Sequence, residues 1–345
     1  MSTTTAESTV STDAAVAAAR PAALPELLRV RVAKTRYDAE DIRLLELATE
    51  DGQALPPFTA GAHIDIEVLL PGRARARRSY SIASAPSEQP FTYLVAVQYE
   101  QDGTGGSIFL HEKVRQSYVL DITPPKNFFE LKPDAEHSVL LAGGIGVTPL
   151  LAMAHQLTAE NRSFEFHYVA RRAERMAFKS VVEGFGDKAH LYLTNGEPGR
   201  GGFDLRKLMG APQAGRHVYV CGPTGMIEEA RALGHELGFP ETNVHSEIFK
   251  KPEPRPGDGP VEVVIRSTGQ VVQVPAKKSI LDTLIEAGVT QNYDCRVGTC
   301  GTCAVTVVEG TADHRDNVLL DAEKAQNRMC TCVSRSKTPR LVIDL

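Results

Sequence analysis

Five of the six cysteines in this 345-residue chain lie between residues 295 and 332. Three of them, Cys295, Cys300 and Cys303, follow the spacing C-x4-C-x2-C. This spacing is typical of plant-type [2Fe–2S] sites, in which a fourth cysteine lies farther along the chain. Three thiolates must converge on two irons within one turn, and Gly298 and Gly301 let the backbone wrap closely around them. The loop therefore predicts a one-electron redox centre.

Two cysteines compete for the fourth position, Cys330 and Cys332 in the segment MCTCVSR. We expect this segment to form a strand, and because alternate residues of a strand share a face, geometry alone does not separate the two thiols. A structural zinc site is an open alternative, with Cys300, Cys303, Cys330 and Cys332 as its ligands. Zinc ribbons prefer two C-x2-C-like pairs. This sequence has one such pair and leaves Cys295 unexplained, which favours the iron–sulfur cluster.

A glycine-rich segment, LLAGGIGVTP over residues 140–149, has the form of a strand, a tight turn and a helix start. We expect Thr148 to be the N-cap and Pro149 the first helical residue, where its missing N–H group costs nothing. Gly143, Gly144 and Gly146 let the chain approach a pyrophosphate at the positive end of the helix. The segment departs from the G-x-G-x-x-G fingerprint of Rossmann dehydrogenases, because Pro149 stands where the last glycine would be.

Two weaker motifs suit a flat, anionic cofactor. One is R-x-Y-S on a predicted strand, whose arginine and tyrosine share a face, so that the ring can pack on the cofactor while the guanidinium pairs with a phosphate. The other is G-G-S before a helical segment, which offers backbone N–H groups and a hydroxyl to a phosphate. Taken alone, each motif is explained as well by a half-exposed strand or a capped loop. The candidate residues are Arg78, Tyr80, Ser81, Gly105, Gly106 and Ser107.

Three stretches of different pattern must position these residues. Residues 26–134 contain short alternating segments separated by turns, which predicts an antiparallel β-barrel or sandwich. In residues 135–249 strands alternate with helical segments, which predicts a parallel α/β sheet that binds ligands beyond the carboxyl ends of its strands. Residues 250–260 contain four prolines and two glycines and are typical of a linker. Residues 261–345 predict a small α+β module.

Composition sets limits on the function. Hydrophobic residues make up 42% and charged residues 23% of the chain, as in ordinary globular proteins. The net charge of -5 argues against a nucleic-acid or anionic membrane partner. No apolar run approaches the roughly 18 to 20 residues that span a bilayer. We therefore expect a soluble, cytoplasmic protein, and we expect residues 1–25, rich in Ala, Thr and Ser, to be a disordered tail.

The order of barrel, nucleotide-binding domain and cysteine-rich domain resembles the phthalate dioxygenase reductase family, which includes the vanillate O-demethylase reductases. The GGxGxTP turn and the segment DHRD at residues 313–316 match the family pattern, and CVSR at residues 332–335 matches the context of its last cluster ligand. The resemblance therefore implies that Cys332, rather than Cys330, is the fourth ligand. The implied fold is multidomain, with an antiparallel β-barrel flavin domain, a ferredoxin-reductase-like α/β domain and a plant-type ferredoxin (β-grasp) domain.

The resemblance also implies that the cofactors are FMN, NADH and a [2Fe–2S] cluster. Phe249 matches a position where an aromatic ring lies against the flavin, although a core position on the last strand explains it equally well. Glu247 would help to position the flavin or the nicotinamide. Cys221 corresponds to a cysteine near the reactive nicotinamide carbon and is the candidate catalytic residue, while Gly222 and Pro223 would shape the gap that admits the nicotinamide.

NADH rather than NADPH follows from the resemblance alone. Arg171, Arg172 and Arg175 follow a predicted strand, and such arginines either accept a 2′-phosphate or form a solvated charged run. By resemblance, NADH transfers hydride to FMN, and electrons then pass singly to the cluster and on to a Rieske-type oxygenase or demethylase of aromatic acids. Two alternatives are a reductase that serves a cytochrome P450 or another acceptor, and a zinc-stabilised binding protein without redox activity.

Overall fold

A computed structural model describes residues 27–197 and 200–345 of the chain. The tail expected over residues 1–25 lies outside the described residues. The described chain contains three main sheets, one in each of the three stretches distinguished by sequence, and one short two-stranded pairing. Within these residues, every helix is too short or too polar to cross a bilayer.

The first sheet is a six-stranded antiparallel barrel with the strand order β4-β3-β6-β1-β2-β5. A bridge between Ile82 and Val95 brings the two ends of this order together. Because successive side chains of a strand point to opposite faces, alternate residues such as Val30, Ile64 and Val97 turn inward to form the core. The elements are β1 Leu28–Ala39, β2 Ile42–Thr49, β3 His63–Leu69, β4 Arg75–Ser81, β5 Tyr93–Gln98, α1 Gly106–Glu112 and β6 Val119–Ile122.

The second sheet is parallel, with the order β11-β10-β7-β8-β9. Its central strands are almost continuously apolar because both faces are covered: Leu140 packs into the core on one face and Leu141 into the core on the other. The chain runs outward from β7 in both directions, so a ligand crevice lies beyond the carboxyl ends of β7 and β10. The elements are β7 His137–Gly143, α2 Val147–Ala159, β8 Ser163–Ala170, α3 Lys179–Glu183, β9 Ala189–Leu193, α4 Leu205–Met209, β10 Arg216–Cys221, α5 Thr224–Leu237 and β11 Val244–Glu247.

The third sheet has the order β13-β12-β18-β14-β16, in which β12 and β18 are parallel and the other neighbours are antiparallel. The helix α6 packs on it through Ile280 and Leu284, which gives the expected β-grasp arrangement. The elements are β12 Val261–Ile265, β13 Val271–Val274, α6 Ile280–Glu286, β14 Ala304–Glu309, β15 Ala312–Asp313, α7 Asp321–Ala325, β16 Arg328–Cys330, β17 Arg335–Ser336 and β18 Arg340–Asp344.

The predicted start of α2 is wrong. The turn Gly144–Gly146 is a short 3-10 helix that runs directly into α2, so the N-cap is Gly146 rather than Thr148. The Thr148 hydroxyl instead donates to the carbonyl of Ile145 at 3.0 Å. Pro149 is the third helical residue rather than the first, and it is tolerated there because the first four N–H groups of a helix have no helical partner.

The segment MCTCVSR is not one continuous strand either, because β16 ends at Cys330 and β17 begins at Arg335. The ladder with β14 ends at the pair Ala304–Cys330, and Cys332 lies in the turn that follows. Cys330 and Cys332 therefore do not share one strand face. The strand β18 Arg340–Asp344, which sequence periodicity did not indicate, lies at the centre of the sheet and stabilises it on both sides.

Candidate functional site

The cysteine loop is shaped by glycines with left-handed backbone. The φ angle is +85° at Gly298 and +73° at Gly301, a region that other residues seldom adopt. Gly298 also leaves no room for a side chain, because a Cβ there would lie 2.8 Å from a methyl group of Val333. The loop therefore closes tightly over the segment that carries Cys332.

The thiols of the loop and of Cys332 form one chain of contacts. Cys295 interacts with Cys300 and Cys332, and Cys332 interacts in turn with Cys303. Contact with Cys300 and then with Cys332 lowers the pKa of the Cys295 thiol, and the same contacts raise the pKa values of Cys300 and Cys332. Two backbone N–H groups of the loop also donate to Sγ of Cys295, at 3.5 and 3.4 Å. This donor set fits a [2Fe–2S] cluster.

The extra thiol, Cys330, is fully buried. Its side chain interacts with Cys303, whereas Cys332 reaches both Cys303 and Cys295. The position of Cys332 between the two ends of the loop supports its proposed role as the fourth ligand.

Arg78 and the G-G-S motif lie together at one end of the barrel. The guanidinium of Arg78 donates to Oγ1 of Thr104 at 2.6 Å. Its stem packs so closely on Gly106 that a Cβ there would lie 2.8 Å from Cγ of Arg78. Gly105, with φ at +98°, precedes the first turn of α1, where backbone N–H groups lack helical partners. A guanidinium beside free N–H groups fits the phosphate of a mononucleotide.

Tyr80 and Ser107 stabilise the structure around the Arg78 guanidinium and the G-G-S motif. Tyr80 packs against the barrel core, and burial raises the pKa of its phenol, so the side chain stays neutral. The hydroxyl of Ser107 accepts a hydrogen bond from the backbone N–H of Glu100 at 3.1 Å. That bond holds the loop before α1 against the end of β5.

Ser81, Cys221 and Glu247 meet where the barrel contacts the parallel sheet. Cys221 and Glu247 are register partners at the carboxyl ends of β10 and β11, and Oγ of Ser81 donates to Oε2 of Glu247 at 3.4 Å. Burial raises the pKa of Glu247 to about 8. Burial, with the charge of Glu247, also raises the pKa of the Cys221 thiol well above its usual value. Both raised pKa values favour the protonated forms of these two side chains at neutral pH.

A cavity of about 1320 Å³ is lined by Gly222 and Ile248, the residues that follow Cys221 and Glu247. Phe249 forms part of its wall and is 42% exposed, so the core position considered for this residue is wrong. Thr148 and Pro149 are buried within α2 and do not line the cavity. The predicted residues that do line it are Gly143, Gly144, Gly146, Gly222, Pro223 and Phe249.

The glycines of the turn after β7 have two different uses. A Cβ at Gly146 would lie 2.2 Å from the carbonyl oxygen of Cys221, and one at Gly143 would lie 2.6 Å from Cδ of Pro223. These two glycines let the turn pack against the end of β10. Gly144, with φ at +54°, has open space beside it, which leaves its backbone accessible to a ligand in the cavity.

The three arginines after β8 lie at the edge of the cavity and remain at least partly exposed to solvent. Arg171 and Arg175 line the cavity. Arg172 also pairs with Glu40 at 2.5 Å, and Arg175 pairs with Asp41 at 2.9 Å. Glu40 and Asp41 belong to the turn between β1 and β2 of the barrel. Two of the three positive charges thus join the barrel to the parallel sheet.

Sequence reasoning missed a cluster of charges beside the cysteine loop. Nζ of Lys126 lies 2.8 Å from Oδ1 of Asp294 and 3.3 Å from Oδ2 of Asp65. Burial alone would lower the pKa of Lys126, but hydrogen bonds and charge from Asp294 and Asp65 raise it, so the ammonium stays charged. Lys126 and Asp294 are 168 positions apart, and no local pattern signals their pairing.

Comparison with known proteins gives matches over most of the chain. Residues 140–232 match the oxidoreductase NAD-binding domain family, and residues 263–337 match the 2Fe-2S iron-sulfur cluster binding domain family. The vanillate O-demethylase oxidoreductase of Pseudomonas sp. (strain HR199 / DSM 7063) is 40% identical over 323 residues. That alignment covers 92% of this chain and 100% of the relative.

Two solved structures extend the likeness to the arrangement of domains. Phthalate dioxygenase reductase, described as a modular structure for electron transfer from pyridine nucleotides to [2Fe–2S], has a TM-score of 0.68 at 34% identity and covers 92% of this chain and 98% of its own. Full-length CYP116B46 from Tepidiphilus thermophilus has a TM-score of 0.72 at 37% identity and covers 92% of this chain and 42% of its own.

Proposed function

The chain belongs to the reductase family that includes vanillate O-demethylase oxidoreductase and phthalate dioxygenase reductase, and on that premise we propose that its acceptor is a Rieske-type oxygenase or demethylase. It is an NADH-dependent oxidoreductase that passes electrons by way of FMN and a [2Fe–2S] cluster to an oxygenase partner. The names of these two relatives refer to vanillate and phthalate, which are aromatic acids. We extend that substrate class to the partner of this chain.

The observation that carries the proposal is the convergence of three sites at one junction. Ser81 of the barrel hydrogen-bonds Glu247 of the parallel sheet, and Asn317 of the third domain hydrogen-bonds Ser246, the residue before Glu247. A bound flavin accepts electrons in a pair and releases them singly, which links a hydride donor to a [2Fe–2S] cluster. The convergence therefore supports a direct route between the three cofactors.

The side chains of this chain bind and orient rather than act as nucleophiles. Arg78 and the N–H groups after Gly105 would hold the FMN phosphate, and the backbone at Gly144 would hold the pyrophosphate of NADH. Glu247 keeps a proton on its carboxyl below about pH 8, so it can donate a hydrogen bond without placing a negative charge beside Cys295. Phe249 offers an exposed ring at the cavity wall, suited to pack on an isoalloxazine.

The four thiols of Cys295, Cys300, Cys303 and Cys332 would hold the cluster. We propose the division into an FMN domain at residues 26–134, an NADH domain at 135–249, a linker at 250–260 and a ferredoxin domain at 261–345. A cytoplasmic location is supported by the cysteines, all six of which are free thiols, as is usual in a reducing compartment.

A second candidate acceptor is a cytochrome P450. The likeness to a type IV self-sufficient cytochrome P450 monooxygenase favours it, because the part that is similar to this chain makes up 43% of that chain. Reconstitution with each class of acceptor separates the two: we expect NADH-dependent product formation with a Rieske oxygenase and none with a P450. Turnover only with the P450 would overturn the first proposal in favour of the second.

The order of electron transfer is tested with Cys300→Ser. We expect loss of cytochrome c reduction, because the one-electron exit requires the cluster, and retention of NADH-dependent reduction of a two-electron dye. Cys330→Ser, a buried thiol outside the proposed ligand set, is the matched control and should retain both activities. Equal loss of both activities in Cys300→Ser would contradict the proposed order.

A further inference from the structure

An ion pair holds the cysteine loop against the barrel. Asp294, which precedes Cys295, accepts from Nζ of Lys126 at 2.8 Å. The side chains of Lys126 and Asp294 are 23% and 27% exposed, so water screens this pair less than a fully exposed one. Within the part of the chain that the structure describes, this is the single ion pair between the barrel and the third domain.

Lys126 has a rigid base in the barrel. Its backbone N–H and C=O both pair with His63, at 2.9 and 2.8 Å. Asp65, which also contacts the ammonium group, donates its backbone N–H to Oγ1 of Thr123 at 3.0 Å. The ammonium group is therefore presented to the loop from a fixed position.

A second contact joins the same loop to the parallel sheet. The side-chain amide of Asn317 donates to Oγ and to the carbonyl of Ser246, at 2.9 and 3.1 Å. The backbone N–H of Asn317 donates to the carbonyl of Gly298 at 3.1 Å. Ser246 precedes Glu247 on β11. The loop is thus tied to the barrel by charge and to the strand of Glu247 by neutral hydrogen bonds.

From these contacts we propose that Lys126 and Asp294 are positioning residues that hold the Cys295 loop at the junction of the three domains. The uncharged Asn317–Ser246 contact holds the other side of the loop. This proposal rests on the proposed function, because its consequence concerns electron arrival at the cluster. Electron transfer weakens as the separation of donor and acceptor grows, so a loop released on the barrel side receives electrons more slowly. Hydride transfer from NADH does not involve this contact and keeps its rate.

The test uses the cofactor-loaded protein and two single variants, Asp294→Asn and Lys126→Gln. Hydrogen–deuterium exchange of residues 290–300, measured without NADH, reports the position of the loop independently of activity. Stopped-flow mixing with NADH reports the flavin absorbance phase and the later cluster phase. We expect faster exchange and a cluster phase slowed about fivefold, at the upper end of the range for ion pairs of this exposure. The flavin phase should be unchanged.

Rescue and salt distinguish a positioning role from a general structural one. The double variant K126D/D294K exchanges the two partners and keeps one positive charge beside two carboxylates, one of them that of Asp65. It should restore most of the rate of the cluster phase. High salt should slow the cluster phase of the wild-type protein but not that of the single variants. Lys34→Gln, which removes a more exposed ion pair of the barrel with Glu46, is the matched control and should behave as wild type.

The proposal would be overturned if both single variants showed the hydrogen–deuterium exchange and the cluster phase of the wild type. It would also be overturned if the cluster phase of K126D/D294K were as slow as that of the single variants. The effect of salt on the cluster phase is measured on the wild-type protein. The proposal can therefore be tested even if a variant fails to fold. If the wild-type cluster band does not bleach with NADH at all, the proposed function itself fails rather than the positioning role.

Discussion

The protonation state of Glu247 can be tested by Glu247→Gln, which removes the ionisable group while keeping a polar side chain at hydrogen-bonding distance from Ser81. Burial raises the pKa of Glu247 from 4.5 to about 8. At about 1.36 kcal/mol per pH unit, this preference for the neutral carboxyl amounts to about 5 kcal/mol. Below pH 8 the wild-type residue should therefore behave like the glutamine.

Infrared difference spectra of the wild-type protein against Glu247→Gln isolate this carboxyl during a titration from pH 4 to pH 10. We expect its carboxylic-acid C=O band to persist through neutral pH and to disappear with a midpoint near pH 8. Because the folded protein holds this proton between pH 4.5 and pH 8 while the unfolded chain releases it, the wild type should lose stability relative to the variant as pH rises through that window. A midpoint near pH 4.5, or an equal pH dependence of unfolding in the two proteins, would refute the reasoning.

Three further predictions concern the cofactor sites. Cys332→Ser should lose iron and acid-labile sulfide, whereas Cys330→Ser should retain both, as measured by metal and sulfide analysis of the purified proteins. Gly146→Ala should weaken NADH binding and lower the unfolding temperature, since its Cβ would collide with backbone and such overpacking costs about 1–3 kcal/mol. Arg78→Ala should release FMN on gel filtration, with a Kd raised about tenfold to a hundredfold by loss of charge-assisted hydrogen bonds.

The glycine and arginine predictions each have a control. Gly259→Ala, at a position outside the cavity with open space around the new Cβ, should leave NADH binding intact. Arg75→Ala, on the same strand as Arg78 but exposed and paired with Glu67, should retain FMN. Loss of the cluster from Cys330→Ser alone, or equal losses in a variant and its control, would contradict the corresponding assignment.

Local sequence patterns were sufficient to predict most of the elements. The helix α5 Thr224–Leu237 lies in the stretch where strands and helical segments were predicted to alternate, and the barrel strands lie in the stretch of predicted alternating segments. These patterns succeed because burial of one face makes apolar residues recur about every 3.6 positions in a helix and every second position in a strand. The cysteine spacing succeeded for a similar reason, since three of the four proposed ligands lie within one short loop.

Features that depend on contacts distant in sequence were not predicted. Ser81 and Glu247 meet across 166 positions, and the central place of Arg340–Asp344 in its sheet depends on pairing with β12 and β14. The N-cap predicted at Thr148 was wrong because the preceding turn continues as a 3-10 helix, a choice stabilised by packing of Gly146 on Cys221 rather than by capping preference. The domain boundaries and the individual site residues remain predictions.

The central claim is that electrons pass from NADH through a flavin to a [2Fe–2S] cluster within this one chain. Anaerobic rapid mixing of the purified protein with NADH, followed at the flavin and cluster absorbance bands, tests it most directly. The flavin band should bleach first and the cluster band should follow without any added protein. Absence of both bands, or a cluster band that stays oxidised after the flavin is fully reduced, would contradict the claim.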